Sequence, residues 1–208
     1  MTLQELLNGH EAFQARFQEH EVQFQRLATD GQNPKILWIG CSDSRVPVEL
    51  ITNARPGDLF VTRNVGNLVP PYGTGEVSLG AVIEFAVVEL QVHEIILCGH
   101  SDCGAMKALD APPDLGRKPY LARWIEYARP AKSKVDASGP AAEERHLVIV
   151  KENVLQQLSN LRSYDPVRQG EQEGTLKLHA WVYLLETGTF EAHDPATGSW
   201  RPPKELQP

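Results

Sequence analysis

A chain of 208 residues, 41 % of them hydrophobic, has room for one domain with a sizeable core, which excludes a disordered chain or a disulfide-stapled miniprotein. Its 20 basic and 27 acidic residues leave a net charge of −7 with no basic cluster to offset it, so a nucleic-acid partner is disfavoured. No apolar run approaches the ~18 residues of a membrane span, and Met1–Leu7 shows neither a secretory nor a transit pattern, so a cytoplasmic protein with no membrane partner is expected.

Residues 3–29 read as a helix, with Leu3, Leu6, Leu7, Phe13, Phe17, Phe24 and Leu27 near helical spacing. Gly31-Gln32-Asn33-Pro34 breaks it. Ile36–Ile39 is a continuous apolar run, the mark of a buried parallel strand, ending at Gly40-Cys41. A turn at Pro56-Gly57-Asp58 leads into a second strand, Leu59–Thr62. Gly75–Leu90 is apolar on nearly every side, a helix that a sheet or a partner subunit must cover. Glu94–Cys98 is a third strand, running into Gly99-His100. Residues 111–145 predict a helix with loops at both ends, and 147–163 a further helix. Leu176–Leu185 predicts a strand that turns at Glu186–Thr189 into a hairpin with Phe190-Glu191-Ala192. The proline-rich tail from Trp200 predicts irregular structure. Strands alternating with helices, then a hairpin, imply an α/β fold: a mostly parallel sheet with an antiparallel edge, flanked by helices.

The three cysteines, at 41, 98 and 103, are too few and odd in number for a disulfide framework and point to metal or thiol chemistry in a reducing compartment. Cys41-Ser42-Asp43-Ser44-Arg45 follows the first strand, and His100-Ser101-Asp102-Cys103-Gly104 follows the third. Open α/β sheets place their ligand crevice at such strand ends. Cys41, His100 and Cys103 form a ligand set suited to zinc, and three ligands leave a fourth position for water, the catalytic arrangement. Cys103 reads as the start of a helix whose free N–H groups favour thiolate. Cys98 reads as core packing. Asp43 paired to Arg45 stays ionised and fixed in direction, and beside a metal-activated water it orients an oxygen lone pair toward a substrate. If the pair opened, Asp43 could itself bind the metal and shut the site. The histidines at 10, 20, 93, 146, 179 and 193 read as surface or packing residues.

These two segments resemble the paired signature of the β-class carbonic anhydrases. The likeness extends to Arg63–Asn67, Ile83–Val87 and His179–Tyr183, and spans roughly residues 20–193 in order and spacing. It departs at Phe85, where the family usually has Tyr, and at His179-Ala180 in place of His-Gly. The resemblance implies zinc on Cys41, His100 and Cys103, with Asp43 and Arg45 as a catalytic dyad. It implies a substrate pocket of Gln32, Phe60, Phe85 and Gly104. It implies a homodimer or homotetramer, with the N-terminal helix lying across a partner subunit. The implied reaction is reversible hydration of carbon dioxide to bicarbonate and a proton. One branch of the family has a second, regulatory bicarbonate site, whose positions here are Trp38, Arg63 and Tyr183. The open alternatives are a hydrolase of carbonyl sulfide or carbon disulfide on the same fold, a non-catalytic bicarbonate- or zinc-binding module, and a redox thiol protein.

Overall fold

The computed structural model describes residues 1–206, in two compact units divided after Asn33. In the first, α1 (Leu3–Ala15) opens on a capping box: the Glu5 N–H donates to the Thr2 hydroxyl, and the Thr2 N–H donates to the Glu5 carboxylate. A 3₁₀ turn at Phe17–Glu19 then separates α1 from α2 (Glu21–Asp30). The single helix expected over 3–29 is thus a break and two helices. Along one straight helix Phe13 and Phe24 would stand roughly 16 Å apart. Their ring centroids lie 6.1 Å apart instead, with Phe17 packed against both. The aromatic residues that suggested one stripe are what fold it back on itself.

The second unit begins with β1 (Ile36–Cys41), α3 (Val48–Thr52) and β2 (Leu59–Asn64). Next come α4 (Ser78–Glu84), which runs on through a π turn at Phe85–Glu89, then β3 (Glu94–His100) and α5 (Gly104–Lys107). A helical layer follows: α6 (Pro119–Trp124), a 3₁₀ turn at Ile125–Ala128, α7 (Arg129–Ser138), α8 (Ala142–Leu161) and α9 (Asp165–Glu173). The chain closes with β4 (Lys177–Leu184), β5 (Thr189–His193) and β6 (Trp200–Arg201). The sheet order is β2-β1-β3-β4-β5-β6; β1 to β4 run parallel, and β5 and β6 are antiparallel to their neighbours.

This is the α/β architecture expected. One sheet face, with Leu37, Ile39, Ile95, Leu97 and Val182, shares a core with Ile149, Val150, Val154 and Leu158 of α8. Gly99 allows the close approach: a Cβ there would stand 2.8 Å from Val154 Cγ2. A second cluster gathers Trp38, Ile96, Cys98 and Tyr183 with Val46 and Val48.

Several boundaries differ from expectation. The helix expected within 111–145 is two short helices joined by a 3₁₀ turn, because Pro119 and Pro130 each sit in the first turn of a helix and Gly139, at φ 58°, ends the second. The helix expected at 147–163 starts five residues earlier, at Ala142. The helix read as starting at Cys103 is a single turn. The tail is not wholly irregular: Trp200 and Arg201 pair with His193 and Ala192, and Pro203–Leu206 form a 3₁₀ turn. Pro208 lies outside the described residues.

Candidate metal centre

β1 and β3 are parallel neighbours, with Gly40 opposite Cys98. Their carboxyl ends therefore lie side by side, and this alone brings Cys41 to His100 across 59 residues of chain. After His100 the backbone turns through Asp102, at φ 56°, and places Cys103 at the cap of α5. The ligand atoms of Cys41, His100 and Cys103 all lie within 4.8 Å of one another, and all three residues are buried. Tetrahedral zinc at ordinary bond lengths needs ligand separations of ~3.6–3.8 Å.

The histidine is set for a metal. Its Nδ1 is 2.8 Å from the Ser101 carbonyl oxygen. A carbonyl can only accept, so Nδ1 carries the proton and Nε2 presents a lone pair. Nε2 is buried with no hydrogen-bond partner, an expensive state that a metal ion would relieve. The two thiols are in contact and are pushed in opposite directions. The Cys103 thiol donates to Cys41 and holds it well below the ordinary thiol range, aided by the Gly66 N–H, 3.4 Å from Cys41 Sγ. Cys103 is pushed up by the same contact and by burial. A divalent cation would release the second proton. The donor set and the stranded nitrogen both fit zinc.

Asp43 and Arg45 lie beside this group. Arg45 Nε donates to Asp43 Oδ1 at 2.9 Å, and Nη2 donates to Oδ2 at 2.8 Å. The Arg45 N–H also donates to Oδ1. These bonds hold the Asp43 carboxyl well below the usual range. Its Oδ2 stands 3.8 Å from His100 Nε2. The other edge of the guanidinium is occupied too: Nη1 donates to Asp102 Oδ2 at 2.8 Å, and Lys107 pairs with the same carboxylate. Asp102 is lowered to about 2 by Arg45 and Lys107. The motif contains Asp102 in plain view, but nothing in one dimension shows that it faces Arg45.

A carbonic anhydrase family profile matches residues 36–190. The carbonic anhydrase of Pseudomonas aeruginosa is 42 % identical over 197 residues, covering 94 % of this chain and 89 % of that protein. The chain belongs to the β-carbonic anhydrase family. Among solved structures, the β-carbonic anhydrase CcaA superposes with a TM-score of 0.91 at 40 % identity, covering 97 % of this chain and 99 % of that one. A tetrameric β-carbonic anhydrase from Sordaria macrospora gives 0.79 at 32 % identity, over 91 % and 95 %.

The remaining expected site residues of this β-carbonic anhydrase chain fall in several places. Phe60 and Phe85 come together, ring centroids 5.7 Å apart, with Phe85 44 % exposed. Gly104 opens α5, and a Cβ there would meet nothing within 4 Å. Gln32 is exposed and belongs to the N-terminal unit. Trp38 and Tyr183 share the second cluster, and the Trp38 indole N–H is buried without a partner. Arg63 donates to the carbonyls of Cys41 (2.8 Å) and Asp43 (2.6 Å). Cys98 lies in the Trp38 cluster, its thiol pushed up by burial. Of the histidines read as bland, His179 pairs with Glu94, and His146 has a buried, unpartnered Nε2.

Proposed function

We propose that this chain catalyses the reversible hydration of carbon dioxide to bicarbonate and a proton. The observation that carries the reading is the convergence of the Cys41, His100 and Cys103 ligand atoms beside a carboxylate locked by Arg45. Zinc held there supplies an activated water for attack at carbon. Asp43, ionised and bound at both oxygens by Arg45, accepts the proton of the attacking oxygen in a hydrogen bond and aims its lone pair at the substrate. Arg45 keeps Asp43 off the metal. Phe60 and Phe85 form an apolar wall that suits an uncharged linear molecule, with the Gly104 backbone as a polar contact. Metal analysis coupled to a hydration assay tests the reading. About one zinc per chain and carbon dioxide turnover are expected; faster turnover of carbonyl sulfide would move the chain to the hydrolase alternative.

The same proposal includes a homodimer or homotetramer in the cytoplasm. It rests on the free cysteines, on the tetrameric S. macrospora relative, and on apolar residues left outside: Val77 is 78 % exposed and Val88 55 %. It also includes a regulatory bicarbonate site at Trp38, Arg63 and Tyr183. The unpartnered Trp38 N–H is a donor without an acceptor, and Arg63 holds the Asp43 carbonyl. An anion drawing Arg63 away would loosen the Asp43 loop. Added bicarbonate is expected to depress activity in the wild type and not in Trp38→Ala; equal responses would leave Trp38 as core packing.

A further inference from the structure

The α8 helix carries three amide side chains at i, i+4 and i+7: Asn153, Gln157 and Asn160. That spacing forms one stripe, and the stripe faces the core where apolar residues would be cheaper. Every rung is satisfied. Asn153 Oδ1 accepts from Gln157 Nε2 at 3.1 Å, which also donates to the Tyr127 carbonyl at 2.9 Å. Gln157 Oε1 accepts from the Val69 N–H at 2.8 Å and from Asn160 Nδ2 at 3.1 Å. Asn160 Nδ2 also donates to the Val69 carbonyl at 2.8 Å, and Asn153 Nδ2 to the Gly66 carbonyl at 3.2 Å.

The ladder thus grips one loop, residues 65–69, from inside. This loop needs gripping, because Gly66 (φ 81°) and Asn67 (φ 48°) are consecutive left-handed residues. Trp124 Nε1 holds the Val65 carbonyl, and Asn64 brackets Leu68 at both its N–H and its carbonyl. At the centre, the Gly66 N–H points at Cys41 Sγ, 3.4 Å away. On its other side a Cβ at Gly66 would stand 2.9 Å from the Ala105 Cβ, in the turn that follows Cys103.

We infer that Asn153 is a positioning residue for the metal site: by holding the Gly66 carbonyl it fixes the turn of the residue whose N–H faces the Cys41 sulfur, while Trp124 holds the Val65 carbonyl of the peptide unit that carries this N–H, and Gln157 and Asn160 brace Asn153 and the loop. An N–H···S bond stabilises a charged sulfur and fixes its direction, so its loss weakens the hold on a bound metal. The inference rests on Cys41 being a metal ligand, as proposed above.

Cadmium-113 in place of zinc separates the two. Scalar coupling between the metal and the Cys41 Hβ protons reports ligation; coupling between the metal and the Gly66 amide proton reports the N–H···S bond. Both are expected in the wild type. Asn153→Ala should keep the first, reduce the second at least twofold, and weaken zinc in chelator competition by about tenfold. Val167→Ala, a core truncation in α9 that removes no hydrogen bond, should leave both couplings unchanged. If Asn153→Ala fails to fold, the near-isosteric Asn153→Leu replaces it, and the wild-type Gly66 measurement needs no variant. Cys41 coupling without Gly66 coupling in the wild type overturns the inference, as does an undiminished Gly66 coupling in the Asn153 variant or an equal loss in Val167→Ala. Absence of the Cys41 coupling itself would overturn the ligand reading, and the inference with it.

Discussion

Arg45 is bound on two sides, by Asp43 and by Asp102, and this geometry decides how the site should respond to pH and mutation. The folded chain holds the Asp43 carboxyl below its unfolded value. The stabilisation is therefore complete above the unfolded carboxylate pKa of about 4 and is lost as pH falls through the lower folded value. NMR titration of the Asp43 carboxyl should show no inflection between roughly pH 3 and 8, and Arg45→Ala, in protein stripped of metal, should bring one back toward the ordinary carboxylate range. An inflection near 4 in the wild type would mean that the pair does not form. Asp43→Ala should retain zinc and lose turnover by about 10²-fold or more, since it removes an orienting group and not a ligand. Near-normal turnover there would reduce the pair to an ordinary ion pair. Cys103→Ser should lose both metal and activity, because a hydroxyl cannot supply thiolate; full zinc occupancy would sink the ligand assignment.

Among the elements, β3 and α8 set the positions that the site depends on. β3 carries His100 at its end, and α8 lies directly on it at Gly99. A methyl group at Gly99 has nowhere to go, with Val154 Cγ2 at 2.8 Å and Val150 Cγ1 at 3.2 Å. Gly99→Ala should destabilise by about 1–3 kcal/mol in urea unfolding, as overpacking does. It should also weaken zinc binding, because α8 shifts with the strand next to a ligand. Unchanged stability would show that the contact yields freely. The strand assignments were legible because β1 and β3 are buried on both faces and so read as unbroken apolar runs. The helical layer at 111–161 was less legible. Its breaks are local events at Pro119, Pro130 and Gly139, and the buried stripe of α8 is partly polar.

For the whole molecule, the apolar surface left on one chain leads to an assembly prediction. The α4 helix and its π turn bury Leu79, Ile83 and Ala86 but leave Phe85 and Val88 open, as is Val77 just before the helix. The helix thus has two apolar faces, and among the described residues one of them stays open. Val88→Asp places a charge on the open face and should shift sedimentation from dimer or tetramer toward monomer, with activity falling in parallel. A wild-type monomer at micromolar concentration with full activity would contradict the proposed assembly.

The sequence by itself determined where the candidate chemistry lies along the chain: two segments bearing candidate metal ligands after two apolar runs, and hence a Cys–His–Cys set expected at adjacent strand ends. That inference works because parallel strands are local in pattern and their carboxyl ends are forced to one side of the sheet. Tertiary structure decided what long-range contact alone can set. Asp102 meets Arg45 across 57 residues, and Asn153 meets Gly66 across 87. Neither pairing leaves a periodic trace, since a hydrogen bond between two loops, or between a helix and a loop, is specified by the packing that brings them together and not by the spacing of either partner.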